Sequence, residues 1–161
     1  MKMKKLLMVS AMIALLGSGC ATAPTPSTIS ETAAATPQLS TLTKLINDAG
    51  LTETLKGPGP YTLFAPTDDA FKAVPAKTLD ALAKDKALLT SVLTYHVLPG
   101  AVTSATVANG PVKTVQGAPV AIYKSGTFVT VEEAVITTPD IAASNGVVHI
   151  VDKVLIPPVK K

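Results

Sequence analysis

The chain has 161 residues, enough for one domain of ordinary size. Its 14 basic residues outnumber its 11 acidic ones, but three lysines lie within the first five residues, and the rest of the chain balances at eleven of each. Every basic residue is a lysine, so guanidinium recognition of phosphate or carboxylate is excluded, and no basic patch argues for a nucleic-acid partner.

Residues 1–19 have the layout of a signal peptide. Lysines open the segment, and the apolar run Leu6–Leu16 is about 16 Å long as a helix, half of a ~30 Å hydrocarbon core. The run ends in Gly17-Ser18-Gly19-Cys20, which resembles the lipobox of bacterial lipoproteins, although Gly17 stands where that motif usually has leucine. We therefore predict cleavage before Cys20 and lipidation of Cys20, the single cysteine; an ordinary secretory signal is the alternative.

Lipidation would tie the chain to a bacterial membrane through its N-terminus. Ala21 follows Cys20 in place of the Asp that retains many lipoproteins in the inner membrane, which favours the outer membrane if the cell has two. Residues 20–37 are rich in Ala, Thr, Ser and Pro with one charge, and predict a flexible tether because little apolar surface is available to order them. A single domain is then expected over residues 38–159.

Apolar residues at helical spacing dominate the first half of this domain. The predicted helices are Leu39–Ala49 with Gly50 as its stop, Thr52–Leu55, a brief helix holding Phe71, one opened by Pro75, and Asp85–Thr94. One buried strand, Tyr61–Ala65, interrupts them.

Strand patterns follow Pro99-Gly100. The predicted strands are Val112–Val115, Val120–Tyr123, Phe128–Val131, Ala134–Ile136 and Val147–Val151, with breaks at Gly117, Gly126, Pro139 and Asn145-Gly146. Helices before strands predict an α+β fold with an antiparallel sheet.

Three segments in series resemble the fasciclin (FAS1) domain family: residues 62–71 (TLFAPTDDAF), 95–100 (YHVLPG) and 145–157 (NGVVHIVDKVLIP). The resemblance covers residues 39–157. It implies a compact fold in which helices pack on one side of a twisted β-wedge or sandwich. It also implies a secreted, lipid-anchored or membrane-attached domain used in adhesion, with an unknown protein or matrix partner.

Several polar residues in these segments suit structural roles. Thr67 or Asp68 can cap the helix that follows, and adjacent side chains such as Asp68 and Asp69 do not converge on one cation, so we predict no metal site. His149 lies among valines on a strand, with Val147 and Val151 on its face, and is expected to be a hydrogen-bonded core residue. Asp152 is expected to tie down a loop.

The candidate interaction residues are Tyr95, His96, Val97 and Leu98. In animal fasciclin domains a Tyr-His pair beside branched apolar residues is taken as an integrin-binding motif, and the resemblance implies that role here. The alternative is structural: Tyr95 packs, and His96 bonds a nearby backbone or hydroxyl group at the end of a helix.

No catalytic motif or cofactor-binding motif is present, and we predict no enzyme activity and no cofactor. A Ser, His and Asp drawn from distant positions remain a formal possibility. The expected function is adhesion or protein interaction at the cell envelope. The alternative is a binding protein for an apolar small molecule, such as a carotenoid or lipid, because small and branched apolar residues are abundant.

Overall fold

The computed structural model describes residues 27–158, so the predicted signal peptide and Cys20 lie outside the described residues. The helices are α1 (Ile29–Ala35), α2 (Ser40–Ala49), α3 (Thr52–Lys56), α4 (Asp68–Ala73), α5 (Ala76–Lys84) and α6 (Lys86–Tyr95), with a 3-10 turn at Pro37–Leu39. The strands are β1 (Tyr61–Pro66), β2 (Val97–Pro99), β3 (Gly110–Lys113), β4 (Pro119–Ser125), β5 (Phe128–Val131), β6 (Ala134–Ala143) and β7 (Gly146–Val151). The predicted α+β class is confirmed.

The seven strands form one mixed sheet in the order β2-β1-β7-β6-β5-β4-β3. The predicted antiparallel sheet is in fact mixed: β1 and β7 pair in parallel along their whole length, from Tyr61↔Gly146 to Pro66↔Val151, and the other five strand pairs are antiparallel. Parallel neighbours need a long connection, which the intervening helices and strands provide. Both strands are buried on both faces and lack the alternation of half-exposed strands.

The sheet curls until its two edges meet. The Val115 amide, just after β3, donates to the Val97 carbonyl of β2 at 2.8 Å, so the sheet almost closes into a barrel. Side chains of β1 and β7 alternate between the barrel interior and the helical layer: Phe64 and Val151 point inward, and Leu63 and Val148 pack against the helices. The domain therefore has two apolar cores separated by these two central strands.

Helix α1 lies inside the predicted tether, and the prediction of a flexible segment is wrong for this part of residues 20–37. Thr28 and Glu31 form a capping box at its start, and the Ile29 and Ala33 side chains are buried. The Ile29 amide donates to Asn145 Oδ1 at 2.9 Å, and the Asn145 amide group donates to the carbonyls of Leu55 and Gly57. One buried isoleucine and a tertiary cap thus order a segment whose composition favours disorder.

Strand β6 is much longer than the predicted Ala134–Ile136. It runs through Pro139, expected as a break, because the register shifts twice between Ile136 and Ile141 and leaves the proline without a ladder bond. The two-residue turn Ser144-Asn145 then leads into β7. A Cβ on Gly146 would lie 1.8 Å from the Tyr61 carbonyl oxygen, so only glycine allows β7 to approach β1 here.

Candidate functional site

The four candidate interaction residues lie where α6 ends and β2 begins. Tyr95, His96, Val97 and Leu98 are each at most 5% exposed, so they present almost no surface to a partner in this conformation. A surface contact through this set stays a prediction that the burial does not favour. The structural alternative describes their contacts instead.

Both ring nitrogens of His96 form hydrogen bonds with backbone groups. Nδ1 lies 2.7 Å from the Val92 carbonyl and donates to it, and Nε2 accepts from the Leu155 amide at 3.0 Å. A neutral ring satisfies both bonds, whereas a protonated ring has no acceptor for the Leu155 amide. Burial lowers the pKa of His96 to about 4, against the opposing effect of the Val92 carbonyl. The ring therefore holds the segment after β7 against the end of α6.

The Tyr95 ring fills the barrel interior, and its hydroxyl reaches the far wall. The hydroxyl donates to the Pro119 carbonyl at 3.2 Å and lies 3.4 Å from Glu132 Oε1. Burial raises the pKa of Tyr95, and the Glu132 charge adds to this effect. The Tyr95-His96 pair thus connects the end of α6 to three separate segments: the start of β4, the β5–β6 turn and the segment after β7.

His149 lies inside the barrel, stacked on Phe64 with ring centroids 5.7 Å apart. Its Nε2 donates to the Val102 carbonyl at 2.8 Å, and its Nδ1 accepts from the Asp140 amide at 3.1 Å. The predicted hydrogen-bonded core histidine is confirmed. Asp152 also ties a loop as expected, because its carboxylate accepts from the Val135 amide at 2.7 Å.

The fold brings Ser104, Asp140 and His149 together, although they are distant in sequence. They are not connected as a catalytic triad. The Ser104 hydroxyl donates directly to the Asp140 carboxylate, and both His149 nitrogens are committed to backbone groups. The Ser104 hydroxyl bond lowers the pKa of Asp140. The hydroxyl thus faces a carboxylate whose lowered pKa makes it a weak base, and it has no bond to an imidazole, so the constellation lacks the Ser-His pair of a catalytic triad.

The Asp68-Asp69 pair serves two different helices. Thr67 caps α4 by accepting from the Ala70 amide at 3.2 Å. Asp68 turns away and accepts from the Thr41 amide and the Ser40 hydroxyl at the start of α2, both at 2.8 Å, and the Thr41 bond lowers its pKa. Asp69 pairs with Lys72 on the surface. Within residues 27–158 no group of three or more His, Cys, Asp or Glu side chains is arranged to hold a metal ion.

One surface groove was missed by sequence reasoning. It has a volume of about 390 Å³ and lies between the β5–β6 turn and the segment after β7. Its lining residues are Tyr95, Pro119, Glu132, Glu133, Ala134, Lys153, Val154, Leu155, Ile156 and Pro158. The sequence offered only two local signals for this groove. They are two acidic residues at a turn and an apolar Ile-Pro-Pro stretch that belongs to no predicted helix or strand. Only the fold places them side by side.

A second, apolar cavity of about 50 Å³ lies among Leu51, Leu55, Tyr61, Val97 and Val115. Pockets for drug-sized ligands usually measure about 300–1,000 Å³, so this cavity is too small for a carotenoid or lipid chain. The larger groove has charged residues along its rim. The apolar small-molecule ligand stays a prediction that neither cavity favours.

No helix within residues 27–158 is long and apolar enough to cross a membrane.

A family model described as the Fasciclin domain matches residues 37–157. "Protein sll1483" of Synechocystis is 42% identical over 133 residues, which cover 81% of this chain and 74% of that protein. The "Immunogenic protein MPB70" of Mycobacterium bovis is 39% identical and the "Cell surface glycolipoprotein MPB83" of the same species 40% identical, each over 127 residues. Those matches cover 76% of this chain, with 65% of MPB70 and 57% of MPB83.

Among solved structures, a FAS1 domain pair from the insect cell adhesion molecule Fasciclin I superposes with a TM-score of 0.64. The match covers 81% of this chain and 51% of that one at 16% identity, and it supports the fold alone.

Proposed function

Because this chain belongs to the fasciclin domain family, we propose that it displays one non-catalytic domain at a bacterial envelope, for adhesion or contact with another protein. The observation that carries the proposal is the family match, which spans nearly all of the described domain. A relative named as a cell surface glycolipoprotein adds support for a surface location.

The path of the N-terminal segment supports display from a lipid anchor. The described chain begins at Ser27, whose carbonyl accepts from the Ser144 amide at 2.9 Å beside the β6–β7 turn. Cys20 lies seven residues earlier. A diacylated or triacylated Cys20 would therefore hold this end of the domain next to the membrane. Two or three acyl chains bind a membrane stably, whereas one chain binds only weakly.

The arrangement of the polar residues supports a non-catalytic role. The two histidines, Asp68 and Asp152 each bond a backbone group, and the Ser104 hydroxyl is bonded to a carboxylate rather than to a histidine. Perturbed pKa values often mark catalytic sites, but His96 is enclosed in the core and is not among the lining residues of the groove.

The experiment compares a deletion strain with strains complemented by the wild-type gene and by Cys20→Ser. We expect surface attachment to fall in the deletion strain, to return with the wild type, and to stay low with Cys20→Ser, whose product should leave the membrane fraction. Mass spectrometry of the mature N-terminus should find an acylated Cys20. Unchanged attachment in the deletion strain would overturn the adhesion proposal, and an unmodified Cys20 would overturn the anchor.

A further inference from the structure

The groove beside the β5–β6 turn lies at the opposite end of the β6–β7 hairpin from the N-terminal segment. Ser27 bonds Ser144 at the turn of that hairpin, whereas the groove borders Ala134 and the residues after Val151 at its other end. A six-residue strand such as β7 separates the two ends by roughly 20 Å. On the proposed anchored display, the groove points away from the membrane.

The groove combines an acidic rim with an apolar wall. Glu132 and Glu133 stand on one side, and Val154, Ile156 and Pro158 line the other. Ile156 is 57% exposed, unusual for a large apolar side chain in this domain. Lys153 is the one basic residue among the described lining residues, so the rim carries a net negative charge.

The groove is held in shape from beneath. The Glu132 amide donates to the Ala121 carbonyl at 2.7 Å, and its carboxylate accepts from the Ala121 amide at 2.8 Å. Glu132 has a φ of 53°, a left-handed conformation that a non-glycine residue adopts only with backbone strain. The opposite wall is fixed by the bond from the Leu155 amide to His96. Tyr95 lines the groove and His96 fixes its wall, so the pair shapes the groove although both side chains are almost fully buried.

We propose that this groove binds a cationic peptide segment of a partner protein, one that carries Lys or Arg beside an apolar side chain. The charge of the rim complements the cation, which gains charge-assisted hydrogen bonds from the glutamates. The aliphatic stem of the Lys or Arg packs along Val154 and Ile156, as such stems do on apolar surface. The inference rests on the proposed function, since display gives the groove access to partners. Lys160 and Lys161, which follow the groove in sequence, are the competing occupant.

The test is selection of a phage-displayed random heptapeptide library on the native protein purified in non-ionic detergent. The selected peptides are then measured by fluorescence anisotropy against Glu133→Gln and Ile156→Ser, two exposed positions at which substitution should leave the fold intact. The matched controls are Glu53→Gln and Phe128→Ser, an exposed acid and an exposed aromatic outside the groove.

We expect enrichment of Lys or Arg next to apolar residues, a five- to tenfold weaker affinity for each groove variant, and unchanged affinity for the controls. Affinity should also fall between 50 and 300 mM NaCl because the rim charges are solvent-exposed. No enrichment, or peptides that ignore the groove variants, would overturn the proposal. Binding that appears only after removal of residues 159–161 would also overturn it, because the chain's own tail would be the occupant. If the peptides bind the groove but the deletion strain attaches normally, the groove proposal stands and only the adhesion proposal is rejected.

Discussion

Acidification should destabilise the domain through His96 before it affects the carboxylates. The folded state holds His96 neutral with a pKa of about 4, whereas the unfolded chain has the ordinary value near 6.5. At pH values between these two, His96 is protonated in the unfolded state and neutral in the folded state. The free energy of unfolding therefore falls as pH drops from 6.5 towards 4, and it is unaffected by this group at higher pH.

The magnitude follows from the size of the shift. Each pKa unit corresponds to about 1.4 kcal/mol, so the difference between 6.5 and about 4 gives a full loss of about 3.5 kcal/mol. Domains of this size are usually stable by about 5–15 kcal/mol, and a loss of that size is measurable. The structural cause is specific: a protonated Nε2 would face the Leu155 amide, donor against donor, in a buried site.

Urea denaturation at intervals between pH 7.5 and 4.5 measures the free energy, and NMR of the ring protons follows His96 separately from His149. The lowered pKa values of Asp68 and Asp140 act at lower pH than His96. Their contributions to stability are present above the ordinary carboxyl range and are lost only below it. A His96 ring that titrates near 6.5, or a flat stability profile down to pH 5, would refute the reasoning.

Three substitutions test the packing, each by urea denaturation. Gly146→Ala should destabilise by more than about 3 kcal/mol, because its Cβ would lie 1.8 Å from the Tyr61 carbonyl oxygen, whereas Gly126→Ala meets no atom within 4 Å and should cost only about 1–2 kcal/mol of backbone strain. Ile29→Ala should cost about 2–5 kcal/mol because the side chain is fully buried. Asp68→Asn should cost about 1 kcal/mol through weaker bonds to the start of α2.

Each of these has an outcome that contradicts it. Equal losses for the two glycine variants would remove the argument for close approach of β1 and β7. An Ile29→Ala profile like that of the exposed control Ala34→Ser would show that α1 is not docked. An unchanged free energy of unfolding for Asp68→Asn would mean that water replaces the hydrogen bonds of the carboxylate at no cost.

The sequence predicted elements whose signals are local. The spacing of Leu42 and Ile46, with Gly50 in the left-handed conformation as the cap, placed α2 correctly. The alternation in β7 placed His149 on the inner face and Val148 on the outer one. These features depend on residues within one or two turns of each other, so composition and period were sufficient.

Features that depend on distant partners were not predicted. Helix α1 depends on Asn145, 116 residues away from the Ile29 amide that it caps. Strand β2 has only three residues, and its pairing with β1 is set by the barrel rather than by its own sequence. The groove combines a turn with a segment about twenty residues later in the chain. A pattern within a short stretch of sequence cannot show such contacts, because the whole fold decides which distant residues come together.

If Cys20 carries the proposed lipid anchor, the docked helix α1 also limits how far the domain can stand from the membrane. From Cys20 to Ser27 the chain can reach at most about 25 Å when fully extended, at about 3.5 Å per residue, whereas a free segment up to Gln38 would reach about 60 Å. On that proposal, the bond to Asn145 and the buried Ile29 would set the length of the tether between the anchor and the domain. A partner on another cell or layer would then have to come within the shorter reach plus the height of the domain itself.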